Sequence, residues 1–452
     1  MNESMLVDVP DLIDAEKVSR FQIRVLVLCA AVVFMDGFHA QAIGYVAPVL
    51  SKVWKLKPGG LKDVFAAGLF GLMLGALIFG PLADRVGRKT IIVLCTVAFS
   101  IFSLLTITAH SLTSLFYWRL LTGLGLGGAM PNAIALTSEY SPLRRRAFMV
   151  MVMFCGFSLG SALGGFLAAW LIPAAGWTGV FWVGGLFSLL LVPVLVFALP
   201  ESIRLLALKG TEDIRIREIL RRINRNLSFS PGTRFSAHEE RLRGFAVRHL
   251  FLESRALTTI LLWIMFFMNL LNLYFLANWL PTVIHNAGIS IEKSAAITSL
   301  LQVGGIIGSF SFGWLFDRLS PFRVLAAAYF IAGIFVAGIG LAGASVGLII
   351  LTVFAAGFCI VGAQMGANAM AASYYPTAIR STGVGWALGI GRIGSIIGPW
   401  LGGLILSFEW KISSLFMTAS IPALLAALAA LTMAFHGTER TSVTRPSHAG
   451  NG

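Results

Sequence analysis

Gly71-Leu72-Met73-Leu74-Gly75-Ala76-Leu77-Ile78-Phe79-Gly80-Pro81-Leu82-Ala83-Asp84-Arg85 closes one apolar run of the chain. Its spacing returns 233 positions later as Gly304-x3-Gly308-x4-Gly313-x-Leu315-x-Asp317-Arg318. At the same offset Asp36 falls on Asn269, His39 on Asn272 and Pro48 on Pro281. Ser138, Tyr140 and Arg145 recur as Ser373, Tyr375 and Arg380 at an offset of 235. One such match is weak evidence, but agreement along half the chain describes two copies of one structural unit. Internal repeats in a helical membrane protein are the mark of a transporter whose site lies near the midplane, between the halves.

The composition sets the class. The chain has 452 residues, of which 57% are hydrophobic and only 12% charged, against about 25% charged in soluble domains. Apolar runs of about 20 residues, each enough to cross a hydrocarbon core of about 30 Å, recur along its length. The spacing predicts spans over 22–48, 64–83, 90–110, 113–137, 147–172, 178–198, 257–283, 294–315, 322–342, 346–373, 381–406 and 412–435. This is an all-α polytopic membrane protein with twelve transmembrane helices in two pseudo-symmetric six-helix halves. The expected domains are a tail over 1–21, a first half over 22–198, a basic linker over 199–255, a second half over 256–435 and a tail over 436–452.

The net charge of +14 does not indicate nucleic acid, because most of the Lys and Arg fall on one side of these spans. That asymmetry places the basic side and both termini in the cytoplasm. Met1–Lys17 is acidic and polar, so no cleaved signal peptide is expected. Cys29, Cys95, Cys155 and Cys359 lie singly in apolar runs and read as packing residues, with no metal site. Ile214–Ile223 in the linker has the pattern of a basic amphipathic helix. It either rests on the anionic inner leaflet or is a charged linker that fixes topology.

Gly80-Pro81-Leu82-Ala83-Asp84-Arg85-Val86-Gly87-Arg88-Lys89 resembles the loop 2–3 signature of the major facilitator superfamily. The resemblance implies the fold named above and a gating role for Gly80, Asp84, Arg85 and Arg88. Glu139 and Arg145 are candidate partners, and Asp317 and Arg318 form the degenerate second copy. Asp36-Gly37-Phe38, the run Gln41–Pro48, Arg119–Gly128 and Gly391-Arg392-Ile393-Gly394 are similar to the aromatic acid:proton symporter family. That family has a second acid where this chain has His39. Span 5 carries Gly156-x3-Gly160-x3-Gly164 without the Gly-Pro pair of the antiporter signature, which favours uptake over efflux.

Asp36 is the carboxylate placed deep within a span, where an ionisable side chain costs about 2.5–3.5 kcal/mol on the insertion scale and so marks function. A coupling carboxylate needs a movable cationic partner. His39, one turn away, and Arg119, at matching depth in span 4, both qualify. His39 also suits a proton carrier or a substrate hydrogen-bonding group. Arg392, near the middle of span 11, offers a planar fork for a carboxylate. Tyr274, Asn272, Gln302, Gln364 and Asn368 supply further polar contacts at bilayer depth. No nucleophile–base pair or metal cluster is visible, so an enzyme is not expected.

The expected activity is proton-coupled uptake of an aromatic carboxylate by alternating access, in the inner membrane of a bacterium. A carrier or exporter of another organic anion, such as a dicarboxylate, is the alternative. The expected partners are the small aromatic acid, protons as coupling ion and membrane lipids. No cofactor or nucleic acid is expected, and the protein is expected to be a monomer.

Overall fold

A computed structural model describes residues 6–443, except 210–212, 225, 228, 230–232, 237–245, 253, 254, 317, 344 and 376. Asp317, expected at a gate, lies outside the described residues. The helices in chain order are α1 (Val9–Ala15), α2 (Arg20–Val53), α3 (Lys62–Val86), α4 (Arg88–Thr106), α5 (Leu112–Glu139), α6 (Leu143–Ala198), α7 (Ile203–Lys209) and α8 (Asp213–Ile223). After these come α9 (Ala256–Asn286), α10 (Ile291–Phe316), α11 (Pro321–Leu341), α12 (Val346–Tyr374), α13 (Thr377–Ser407) and α14 (Ile412–Val443). A parallel pair, β1 (Leu6–Asp8) and β2 (Arg234–Ser236), joins the N-terminal tail to the linker.

Eleven of the described helices are long and apolar enough to cross a membrane. One of them, α6, runs 56 residues and is broken at Gly176, whose φ of 68° and ψ of −172° are not helical. A straight helix of that length would reach about 84 Å, far beyond one hydrocarbon core. It therefore holds two spans, which is consistent with the twelve expected. The chain divides into two compact units. The first comprises Met1–Arg241 with Asn278–Ser299, and the second Leu242–Ala277 with Leu300–Gly452.

Glycine spacing sets the packing inside each unit. In the first, a Cβ at Gly71 or Gly75 of α3 would strike the carbonyls of Leu120 or Leu124 on α5, and one at Gly123 would strike that of Gly68. In the second unit, Gly304 and Gly308 of α10 meet the carbonyls of Phe354 and Phe358 on α12, and Gly357 meets that of Leu301. These contacts correspond at 233 or 234 positions, so the repeat seen in sequence is also a repeat of backbone contacts. Small residues let membrane helices approach closely where lipid supplies no hydrophobic drive. Between α2 and α6 the same device recurs, with Gly37 against Phe157, Gly160 against Phe34 and Gly164 against the Phe38 ring.

The amphipathic helix α8 does form, but its apolar stripe is taken up by protein. Ile216, Leu220 and Ile223 are buried in one cluster with Val9, Ile13, Phe21, Leu206 and Phe235. The leaflet-resting alternative for this face is thereby corrected, because the surrounding elements already cover it. The cysteines of the spans are free thiols.

Candidate functional site

In the first unit the site is built on α2. Ser19 caps the helix in a reciprocal box with Gln22, and the Gln22 side chain donates to the Tyr140 carbonyl at 2.8 Å. This anchors the register that carries Asp36 and His39 to mid-helix. Asp36 is 1% exposed and Arg119 3%. Arg119 Nη2 donates to the His39 carbonyl at 3.1 Å, while its Nε and Nη1 have no hydrogen-bond partner among the described residues. The depth match inferred from helical rise therefore brings this guanidinium to α2 within one turn of Asp36. A buried cation with open donors is set up to receive an anionic group.

His39 is engaged differently. Its Nε2 lies 2.8 Å from Ser188 Oγ, and Ser188 Oγ donates its one proton to the Gly184 carbonyl at 2.8 Å. That leaves Nε2 of His39 as the donor and Nδ1 as a buried lone pair with no hydrogen-bond partner among the described residues. Phe38 and Phe99 flank the ring at 5.5 and 5.3 Å. The side chain therefore ties α2 to the second segment of α6, while the hydrogen bond from Arg119 goes to the His39 backbone. Gln41 adds a further candidate. It is buried, and neither of its amide atoms is hydrogen-bonded among the described residues.

In the second unit the corresponding register holds amides. Asn269 donates to Gln364 Oε1 at 2.7 Å, and Gln364 donates to Asn368 Oδ1 at 3.1 Å. Asn272, the repeat mate of His39, donates to the Ala419 carbonyl of α14 at 3.1 Å, just as His39 reaches the sixth span. Arg392 Nη1 donates to the Tyr274 hydroxyl at 3.3 Å. Gln302 is 2% exposed with its carbonyl oxygen unbonded among the described residues.

At the basic end of α3 the charges gather on Arg88. Its Nη1 lies 2.5 Å from Glu139 Oε1, in a pair with side chains 17% and 8% exposed. Asp84 is 3.6 Å from the other guanidinium nitrogen and 71% exposed. Ser202 Oγ donates to Glu139 at 2.6 Å, and the Lys89 amide donates to Glu201 at 3.1 Å. Glu201 and Ser202 are site residues that the sequence reading passes over as linker, although a carboxylate directly after the sixth apolar run was a usable signal. Arg85 and Arg145 are exposed and stand outside this cluster. Gly80 has open space where a Cβ would go; the turn is made by Gly87, at φ 125°. Arg318 lies over the Trp314 ring at 4.0 Å.

A helical membrane scaffold made of two repeated units, with buried charge in one and amides in the other, is that of a transporter. The chain belongs to the Major Facilitator Superfamily, whose model matches residues 27–363 and 262–451. It is 43% identical over 426 residues to a gallate transporter of Pseudomonas putida, covering 94% of each chain. With a 4-hydroxybenzoate transporter of Pseudomonas aeruginosa the identity is 41%, covering 94% of this chain and 95% of the relative. With a benzoate transport protein of Acinetobacter baylyi it is 36%, over 93% and 91%. The crystal structure of a D-xylose-proton symporter shares the fold at a TM-score of 0.71 and 16% identity, over 91% of this chain and 97% of that one. The chain is a carrier and not an enzyme.

Proposed function

We propose that this carrier takes up a monocyclic aromatic carboxylate together with protons by alternating access. The observation that carries the reading is full-length similarity to carriers named for gallate, 4-hydroxybenzoate and benzoate. The buried charges support it. The substrate carboxylate docks on Arg392, with the Tyr274 hydroxyl beside it, and Asn272, Gln302, Gln364 and Asn368 are available to ring substituents. Asp36 takes and releases the coupling proton, and Arg119 is the cation whose grip on it changes with protonation. His39 positions Arg119 through its backbone. Protons are the coupling ion and no cofactor takes part. The cluster of Asp84, Arg88 and Glu139 holds the basic end closed in one state. The carrier works as a monomer in a bacterial inner membrane with both termini in the cytoplasm.

The test is uptake of labelled 4-hydroxybenzoate into proteoliposomes at two external pH values, with competition by benzoates, hydroxycinnamates and dicarboxylates. Hydroxybenzoates should compete best, and an acidic exterior should drive accumulation. Strongest competition by a dicarboxylate, or accumulation indifferent to the gradient, would overturn the reading.

A further inference from the structure

Where α2 begins and α8 ends, a cavity of about 440 Å³ is lined by Arg20, Phe21, Arg24, Arg221 and Arg222. Four arginines thus line one concavity that no carboxylate among the described residues lines, although Arg222 also borders a neighbouring cavity with Glu201 and Glu218. None of the four is in an ion pair with another described residue. Arg24 has the Phe21 ring 5.4 Å from its guanidinium carbon, a contact that neutralises nothing. Packing and capping impose this convergence. The buried Ile216, Leu220 and Ile223 dock α8, and the Ser19–Gln22 box fixes the start of α2. Like charges then repel across the cavity, and an anion placed between them would turn that repulsion into attraction. Guanidinium forks match a phosphate in particular.

The rest of α2 says what else the ligand carries. Arg20, Ile23, Arg24 and Val27 are exposed at one-turn spacing along one stripe of a membrane-spanning helix, with Ile23 49% and Val27 58% exposed. Within about 10 Å of helical rise the surface passes from guanidinium to bare aliphatic carbon. A ligand with a phosphate at one end and hydrocarbon at the other fits both parts. We propose that this cavity holds the phosphate head group of an anionic phospholipid, with an acyl chain along Ile23 and Val27, and that the lipid clamps α8 to the start of α2.

The full-length protein in detergent is titrated with dioleoylphosphatidylglycerol, dioleoylphosphatidylcholine or inorganic phosphate, with the thermal unfolding midpoint as readout. Phosphatidylglycerol should raise the midpoint saturably, and the other two should leave it unchanged at equal concentration. Each basic side chain beside an anionic lipid contributes about fivefold in affinity, so R221Q/R222Q should weaken the apparent affinity about 25-fold. R20Q/R24Q, on the other wall, should do the same. All four arginines are exposed, so neither variant disturbs the core. K52Q/K55Q removes equal charge from exposed positions at the far end of α2 and should bind as the parent does. Equal responses to the two lipids, a phosphate response matching that of phosphatidylglycerol, or unweakened binding by both arginine variants would overturn the proposal.

Discussion

Positions 36 and 269 occupy the same register in two units that share their glycine contacts, yet one holds a carboxylate and the other an amide. Around Asp36 the neighbouring span supplies a guanidinium with open donors. Around Asn269 it supplies Gln364, and the amides hydrogen-bond to one another in series. The second unit instead places its cation, Arg392, beside a tyrosine hydroxyl. A duplicated scaffold has thus been divided by chemistry, with a buried carboxylate and guanidinium on one copy and neutral hydrogen-bonding groups plus the guanidinium of Arg392 on the other. Backbone packing is the part the copies keep in common, because a carbonyl seated against glycine tolerates no side chain there.

The comparison is most exposed to Asp36→Asn, which gives the first unit the residue type of the second. Accumulation driven by a pH gradient should be abolished, while exchange of substrate across proteoliposomes persists; undiminished accumulation would end the division of roles. Next in size is the Arg88–Glu139 pair, whose counterpart at position 374 is a tyrosine. Glu139→Ala leaves the largely buried guanidinium of Arg88 with only the exposed Asp84 as counter-charge and should cost about 3 kcal/mol in chemical denaturation. Asp84→Ala, on the exposed arm, should stay within about 0.5 kcal/mol. Gly123→Ala and Gly357→Ala force a Cβ onto equivalent carbonyls, so each should destabilise by about 1–3 kcal/mol. Markedly unequal losses would show that the two packings are less alike than their geometry. A modest effect on stability belongs to His39→Asn, which copies Asn272. Losing the bond to Ser188 should cost about 1 kcal/mol, and the pH profile of uptake should keep its shape. A shifted profile would make the imidazole a proton carrier.

Much of this division is legible in the sequence, for a physical reason. Glycine spacing and helical rise are local quantities, so the correspondence of α3 with α10 and the approach of Arg119 to α2 follow from counting residues. The direction of a ring is not local. His39 and Asp36 are one turn apart, but only the placement of Ser188, 149 positions away, sends the imidazole toward α6. The Arg88 cluster hides for the same reason, since Glu201 and Ser202 return from the end of the sixth span. Helix α8 is the instructive case. Its pattern demands an apolar partner without specifying protein or lipid, and the N-terminal tail with β2 supplies one.

The break in α6 also bears on how the chain is made. The fifty-six residues of this helix run with hardly a hydrophilic pause, so no polar loop separates the two spans as they are synthesised. The only interruption is Gly176, whose φ of 68° suits a residue without a side chain. The fifth and sixth spans are therefore joined with almost no polar chain between them. The reversal of the chain between these two spans falls on that one residue.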